Sequence, residues 1–278
     1  MTHQSATAEL RQWILEQARA GHTPEAVLKA MLQSGWQESV AIQTMEDTLT
    51  EFLAKQASAD GQLPEPSLVG APQRLKLPDR EVRIVATMRD PRVVVVADFL
   101  SDEECDAVIA QSRERLLRSE TVEVGSGGSE VNAARTSDGM FFTRGESPVI
   151  ERIEARLAAF TNWPVENGEG LQVLRYRPGA EYKPHYDYFD PAQPGTSTIV
   201  QRGGQRVGTV VMYLNTPEAG GATTFPDVQL EVAAQRGHAV FFSYAQPHPS
   251  TRTLHGGAPV LAGEKWVATK WLRQGRFD

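Results

Sequence analysis

The sequence predicts an α+β fold in which a small N-terminal helical bundle precedes a larger domain rich in β-strands. Two observations support this prediction. Apolar residues recur at helical spacing through the first 57 residues, and short β-branched and aromatic runs alternate with turn residues from Gly170 onwards. Because helices precede these strands, we expect a β-sandwich or jelly roll flanked by helices. The 278 residues, 40% of them hydrophobic, suffice for one large and one small domain.

Residues 1–57 are predicted to form a bundle of three short amphipathic helices. Thr23 followed by Pro24 is typical of a helix start, because threonine caps the first turn and proline fits the first helical position. Ser39 is predicted to cap the third helix, whose inward residues would be Ile42, Met45, Leu49, Phe52 and Leu53. Apolar residues left exposed on so small a bundle would either bind a protein partner or pack on the main domain.

A linker is predicted over residues 58–79, which mix proline, glycine and polar residues without a sustained period. The main domain is then expected to span residues 80–278. Ser101 followed by Glu104 is a capping box and predicts a helix, and Ser147-Pro148 predicts the start of another.

The core of the main domain is predicted at about residues 170–273, where short strands follow one another. The expected strands cover 171–176, 182–188, 207–214, 222–225, 228–233, 239–244 and 265–272. The run over 207–214 is apolar on both faces, so it is expected to be fully buried.

Charge and composition exclude several function classes. The net charge of −7 and the absence of a lysine or arginine run argue against a nucleic-acid partner. The longest aliphatic run, 93–97, is far shorter than the ~20 residues of a membrane span. Cys105 is the only cysteine, so no intrachain disulfide can form. Together with the lack of an apolar leader at the N-terminus, this leads us to expect a cytoplasmic protein.

A candidate metal site begins with His185 and Asp187, which are separated by one residue. In a strand these two side chains would lie on the same face. Two histidines and one carboxylate with open positions favour Fe(II) and oxygen chemistry. His238, His248 and His255 are the other histidines of the main domain, and His255 is followed by two glycines that would allow close backbone approach.

Lys265 is a second candidate functional residue. It shares one face of the last predicted strand with Val267, Thr269 and Trp271. A lysine on an inward face needs an anion, because burying an unpaired ammonium costs several kcal/mol. A dicarboxylate co-substrate that chelates iron at one end and pairs with Lys265 at the other would account for both features.

The stretch from about Leu171 to Leu272 resembles the catalytic domain of the 2-oxoglutarate- and Fe(II)-dependent oxygenases, specifically the prolyl 4-hydroxylase family. The resemblance is carried by several segments in the same order and spacing. They are 171–176 through 185–189, 203–206 with 212–215, 220–226, and 254–260 through 265–271, and residues 135–141 resemble the mobile loop of the family. The N-terminal helices fall outside it.

The resemblance implies a double-stranded β-helix in which His185, Asp187 and His255 hold iron. Lys265 would bind the distal carboxylate of 2-oxoglutarate, with Tyr176 and Thr223 as hydrogen-bond partners. The residues matching the peptide-substrate contacts of the family are Arg135, Tyr182, Arg206 and Trp271. The implied reaction hydroxylates an unactivated C–H bond, most simply of a prolyl residue, with O2 and 2-oxoglutarate as co-substrates and succinate and CO2 as products. Ascorbate is an optional addition.

Other functions compete with this interpretation. The chain could hydroxylate a free amino acid or another small molecule, or it could be a non-catalytic metal- or peptide-binding module on the same fold. Zinc could also occupy the three ligands, although zinc prefers closed tetrahedral sites or a catalytic water beside a base. An inward lysine fits 2-oxoglutarate better than zinc. The expected cytoplasmic location argues against secreted collagen as the target.

Overall fold

The computed structural model describes residues 7–19, 23–45, 48, 63–118, 121–122, 129–130 and 136–278. The chain divides into two compact units, Met1–Gln62 and Leu63–Asp278. No helix among the described residues is long and apolar enough to cross a membrane.

The N-terminal unit contains helices α1 (Ala8–Arg19), α2 (Pro24–Gln33) and α3 (38–45). The Thr23 hydroxyl accepts a hydrogen bond from the backbone N–H of Ala26 (3.3 Å), as predicted for the start of α2. The buried cluster of this unit consists of Ile14, Val27, Met31, Ala41 and Met45. Ile42 was predicted to point inward but is 38% exposed, and the predicted inward residues Leu49, Phe52 and Leu53 lie outside the described residues.

The larger unit is built around a nine-stranded antiparallel sheet with the order β1-β2-β3-β14-β10-β17-β8-β7-β4. Its strands are β1 (Arg74–Lys76), β2 (Glu81–Met88), β3 (Arg92–Ala97), β4 (Leu117–Arg118), β7 (Asp138–Phe142), β8 (Leu171–Tyr176), β10 (Arg206–Tyr213), β14 (Ala239–Ser243) and β17 (Lys265–Arg273).

A four-stranded sheet with the order β13-β12-β15-β9 contributes residues to the same core. Its strands are β9 (Tyr182–His185), β12 (Thr223–Phe225), β13 (Leu230–Val232) and β15 (His255–Gly257). Two further pairs join β11 (Ala219–Gly220) to β16 (Val260–Ala262) and β5 (Thr121–Val122) to β6 (Ser129–Glu130). This arrangement confirms the predicted jelly roll, with β9 and β15 contributing the site.

The helices of the larger unit are α4 (Asp102–Ser112), α5 (Pro148–Thr161) and α6 (Thr196–Ile199). Single 3₁₀ turns cover Arg113–Arg115, Val165–Asn167, Pro226–Val228 and Pro249–Thr251. The predicted capping box is present at the start of α4, where the Ser101 hydroxyl and the Glu104 carboxylate each accept a backbone N–H. Pro148 occupies the first turn of α5.

The two faces of the large sheet bury different clusters because successive strand residues point in opposite directions. On β8, Val173 packs with the residues of α4 and α5, whereas Leu174 and Tyr176 pack with Phe225 and Val232 of the small sheet. A strand that is buried on both faces reads as a continuous apolar run. The site therefore lies on the face of the large sheet that is turned away from the helices.

The predicted linker over residues 58–79 was wrong from residue 63 onwards. Leu63 and Leu68 pack against the core of the larger unit, Leu77 is buried, and β1 pairs with β2. The Glu65 carboxylate also forms an ion pair with Arg92. Proline and glycine disfavour helices and long strands, but an extended segment that contains them can still bury its leucines and form a short strand. Residues 58–62 lie outside the described residues.

A buried ion pair connects β17 to α5. The Lys270 ammonium donates to the Glu154 carboxylate at 2.5 Å, and the two side chains are 2% and 1% exposed. Replacing Lys270 with methionine should lower the free energy of unfolding by about 3–5 kcal/mol, because Glu154 would keep a buried charge without its partner. Urea unfolding followed by tryptophan fluorescence measures this loss.

Arg74→Met is the matched control, because it breaks an ion pair with Glu81 whose side chains are 61% and 50% exposed. It should lower the free energy of unfolding by less than about 1 kcal/mol. Equal losses in the two variants would contradict the structural role assigned to the buried pair.

Candidate active site

Two histidines and one carboxylate converge at the end of the small sheet. His185 ends β9 and His255 opens β15, and the register of these antiparallel strands sets the two residues opposite each other. Asp187 follows β9 by two residues, so it is held by irregular backbone and not by the predicted strand. One donor atom from each of the three residues lies within 4.8 Å of the others. This set could hold a metal ion.

The hydrogen bonds of the two rings fix which nitrogen faces the centre of the site. Nδ1 of His185 lies 2.9 Å from the carbonyl oxygen of Lys183, and Nδ1 of His255 lies 3.0 Å from that of Thr253. A carbonyl oxygen only accepts, so each Nδ1 carries the proton in the neutral ring and each Nε2 keeps a free lone pair. Both Nε2 atoms lie 3.4 Å from an Asp187 oxygen. Both Nε2 atoms therefore face the Asp187 carboxylate, and the three groups could bind one cation between them.

The electrostatics of the site favour the deprotonated forms that bind a metal. Burial and the neighbouring His255 lower the pKa of His185. Burial alone would raise the pKa of Asp187, but His255 and His185 outweigh it and hold that pKa well below its usual range. Metal ligands must be deprotonated, so His185 and Asp187 are prepared for a cation at neutral pH.

Two hydroxyl groups are linked to the Asp187 carboxylate by hydrogen bonds, one directly and one through the other. Thr209 of β10 donates to Oδ2 of Asp187 at 2.7 Å, and the Tyr244 hydroxyl lies 3.1 Å from Thr209 Oγ1. Burial, together with the charge of Asp187, raises the pKa of Tyr244 well above its usual value, so Tyr244 stays protonated. The Arg206 guanidinium donates to the backbone carbonyl of Asp187 at 3.3 Å.

A buried lysine, Lys265, lies close to strand β15, which also carries His255. Lys265 opens β17 opposite Tyr176 of β8, is 3% exposed, and lies 5.4 Å and 5.8 Å from the ring centres of Tyr176 and Tyr213. A Cβ added to Gly257, two residues beyond His255 on β15, would lie 3.8 Å from the Lys265 Nζ atom. No hydrogen bond or ion pair within the described part of the chain reaches this ammonium group. Burial lowers the pKa of Lys265 to about 8.

The two residues predicted as partners of Lys265 are also in this region. Tyr176 is 5% and Thr223 4% exposed, and the Tyr213 hydroxyl donates to Thr223 Oγ1 at 2.8 Å. Since the oxygen of Thr223 accepts from Tyr213, its own proton is free for an acceptor in the pocket. A buried ammonium beside such a hydroxyl is suited to a carboxylate ligand.

Of the predicted substrate contacts, Tyr182 stacks on the His185 ring with centres 3.7 Å apart. Arg206 lies 4.0 Å from the ring centre of Trp271 and forms two hydrogen bonds with Glu169, at 2.6 and 2.9 Å. Tyr182 therefore contacts the candidate ligand His185, and Arg206 contacts the candidate ligand Asp187 through its backbone carbonyl. Trp271 contacts Arg206. Arg135 lies outside the described residues.

Sequence reasoning missed four residues that contribute to the site, namely Thr209, Tyr244, Tyr213 and Glu169. A polar residue inside an apolar strand was the available signal for Thr209, because a buried hydroxyl needs a hydrogen-bond partner. The partner itself could not be inferred, since it depends on the register between strands. Glu169 lies just before β8, and no sequence motif around it indicates a functional role.

Comparisons with known proteins agree on the family. The model of the 2OG-Fe(II) oxygenase superfamily matches residues 171–273. Prolyl 4-hydroxylase 2 of Arabidopsis thaliana is 36% identical over 234 residues, which cover 76% of this chain and 76% of that protein. Prolyl 4-hydroxylase 1 of the same plant is 43% identical over 201 residues, covering 66% of this chain and 69% of that protein.

Among solved structures, the viral collagen prolyl hydroxylase of Paramecium Bursaria Chlorella virus-1, in its 2-oxoglutarate complex, superposes with a TM-score of 0.51 at 33% identity. The match covers 65% of this chain and 95% of that one.

The side chains of the site fit the cofactors of this family. Two imidazoles and one carboxylate suit Fe(II), and the buried Lys265 lacks a carboxylate partner among the described residues, as expected where a dicarboxylate binds. The predicted family is confirmed: this chain belongs to the prolyl 4-hydroxylase family of 2-oxoglutarate- and Fe(II)-dependent dioxygenases.

Proposed function

We propose that this protein hydroxylates a prolyl residue of a peptide or protein substrate, with conversion of 2-oxoglutarate to succinate and CO2. One observation carries the proposal. A set of two histidines and one carboxylate lies beside a buried lysine that has no counter-charge from the described chain. The prolyl substrate is supported by the names of the relatives, which are prolyl 4-hydroxylases.

In this proposal His185, Asp187 and His255 hold the iron through His185 Nε2, His255 Nε2 and a carboxylate oxygen of Asp187. The bound iron, with O2 and 2-oxoglutarate, supplies the oxidising power, and the protein supplies position and a dry pocket. The backbone carbonyls of Lys183 and Thr253 hold the two rings in the tautomer that the metal needs.

Lys265 pairs with the distal carboxylate of 2-oxoglutarate, and Thr223 and Tyr176 donate hydrogen bonds to it. Tyr213 contributes indirectly, because its donation to Thr223 leaves the threonine proton for the ligand. The ion pair is strong here because Lys265 is only 3% exposed and water does not compete for it.

Tyr182, Arg206 and Trp271 are proposed to contact the substrate, together with Arg135. The indole N–H of Trp271 is buried and finds no acceptor within the described residues. A prolyl peptide offers backbone carbonyls but no N–H at proline, so the donors of Arg206 and Trp271 complement it. The bidentate contact with Glu169 holds the Arg206 guanidinium in position.

Three further proposals concern the setting of this activity. The N-terminal helices would bind a protein partner, because Leu32 and Ile42 are each 38% exposed. A cytoplasmic location is proposed from the single cysteine, Cys105. Ascorbate as an addition to the reaction rests on the family alone.

Hydroxylation of a prolyl peptide library, read by mass spectrometry, tests the substrate. A gain of one oxygen on proline that depends on Fe(II) and 2-oxoglutarate is expected, and succinate should form in equal amount. His185→Ala should abolish both products. Products on a free amino acid but on no peptide would replace the proposed substrate by a small molecule.

Metal binding can be tested without turnover. An excess of Co(II) at about 100 times its Kd should stabilise the wild-type protein by about 2.7 kcal/mol, because the ion binds only the folded state. Calorimetry and thermal unfolding measure the effect. His185→Ala should lose it, whereas His238→Ala, which changes a histidine outside the ligand set, should keep it. A His185→Ala variant that binds Co(II) as tightly as the wild type would remove His185 from the site.

The affinity for 2-oxoglutarate should fall as pH rises through about 8. The pKa of Lys265 is lowered to about 8, so below that pH the ammonium is charged and binds the carboxylate, and above it the charge is lost. Calorimetric titration of the Co(II)-loaded protein between pH 6.5 and 9 gives the profile. Lys265→Ala should bind weakly at every pH, and exposed Lys76→Ala should follow the wild type. A flat wild-type profile would exclude Lys265 from the pocket.

A further inference from the structure

We propose that Thr209 and Tyr244 are positioning residues for the metal ligand Asp187, and that they act as a directed chain in which Tyr244 donates to Thr209 and Thr209 donates to Asp187. This inference rests on the proposed role of Asp187 as a ligand of the iron. It assigns to the inner face of the large sheet a part in metal binding, whereas all three ligands come from the small sheet and the segment after it.

The direction of the chain follows from counting protons. An ionised carboxylate only accepts, so the 2.7 Å contact uses the single proton of Thr209. At the 3.1 Å contact Thr209 must therefore accept, and Tyr244 is the donor. The Tyr244 hydroxyl makes no other hydrogen bond within the described part of the chain, so it reaches Asp187 only through Thr209.

Asp187 needs such support because its backbone lies outside the strands. The ladder of β9 and β15 ends at the His185 and His255 pair, two residues before Asp187. The described chain holds this residue by the contact of Arg206 with its carbonyl, at 3.3 Å, and by the contact of Thr209 with its carboxylate. The second orients the carboxylate itself, whose two oxygens lie 3.4 Å from the Nε2 atoms of His185 and His255.

Thr209 is well placed for this purpose. It lies in β10, between Phe242 of β14 and Trp271 of β17, and is 0% exposed. Tyr244 follows β14 directly, is 2% exposed, and its backbone N–H donates to Val207 at 3.1 Å. The backbone of both residues is thus held by hydrogen bonds of the large sheet. The contact of Thr209 with Oδ2 leaves Oδ1 of Asp187 with its lone pairs available to a cation.

The test compares Co(II) affinity in variants that remove each hydroxyl. Thr209→Val keeps the shape of the side chain but loses the donor, and should weaken binding by about 10- to 100-fold, the usual effect of losing such an outer contact to a ligand. Thr209→Ser keeps the hydroxyl and should restore binding to near the wild-type value. Tyr244→Phe should weaken binding by a smaller factor.

The double variant Thr209→Val/Tyr244→Phe should bind Co(II) no more weakly than Thr209→Val alone, because Tyr244 acts through Thr209. The absorption bands of bound Co(II) should shift in Thr209→Val and return in Thr209→Ser. Thr161→Val is the matched control, since Thr161 is also fully buried and donates its hydroxyl to Leu157 in α5. It should leave both the affinity and the bands unchanged.

Three outcomes would each contradict the proposed hydrogen-bond chain. They are an unchanged Co(II) affinity in Thr209→Val, a loss of affinity in Thr209→Ser equal to that in Thr209→Val, and additive losses in the double variant. If Thr209→Val does not fold, Tyr244→Phe decides, and an unchanged affinity and spectrum there would overturn it. Failure of the ligand assignment itself is separate, because then His185→Ala would bind Co(II) as tightly as the wild type, or neither protein would bind it.

Discussion

The antiparallel register of β9 and β15 is the constraint on which the site depends, because it places His185 directly opposite His255. Each ring is then oriented by the backbone carbonyl of the residue two positions earlier. This carbonyl belongs to Lys183 for His185 and to Thr253 for His255. Both rings therefore present a lone pair to the same point, and the carboxylate of Asp187 completes the set. Because Asp187 lies outside the strands, the convergence of the three groups needs the support of contacts elsewhere in the fold. The core that joins the two sheets, with Phe225 and Phe242 among its members, provides that support.

Burial has opposite consequences for the two lysines of β17. Lys270 faces α5 and is paired with Glu154, so its charge is balanced within the fold. Lys265 points to the other face, is buried almost as completely, and meets two tyrosine rings but no carboxylate of the described chain. An unbalanced buried charge costs stability, and it is retained where a ligand brings the opposite charge. The contrast on one strand supports the proposed binding role of Lys265 and a structural role for Lys270 without reference to any relative.

Much of the fold and part of the site were accessible from the sequence, for physical reasons that differ between elements. The strands over 171–176 and 265–272 were predicted within one residue, because an apolar run bounded by turn residues is a strong local signal. Residues 63–79 were misjudged because leucines in an extended, proline-rich segment leave no periodic trace. The pairing of Tyr244 with Thr209 joins residues 35 positions apart, and that of Tyr213 with Thr223 joins the large sheet to the small sheet. Both depend on strand register and sheet packing, which no local sequence pattern reveals.

The alternation along β17 also bears on how this protein can change over time. Odd-numbered residues from Lys265 to Trp271 lie on the face of the sheet that carries the candidate site, and even-numbered residues from Trp266 to Leu272 face the helix layer. A substitution at Lys265 or Trp271 therefore changes a side chain near the candidate site, and it leaves the pairing of Lys270 with Glu154 of α5 in place. Selection, or a protein engineer, can thus vary one side of this strand while the other side keeps the scaffold folded.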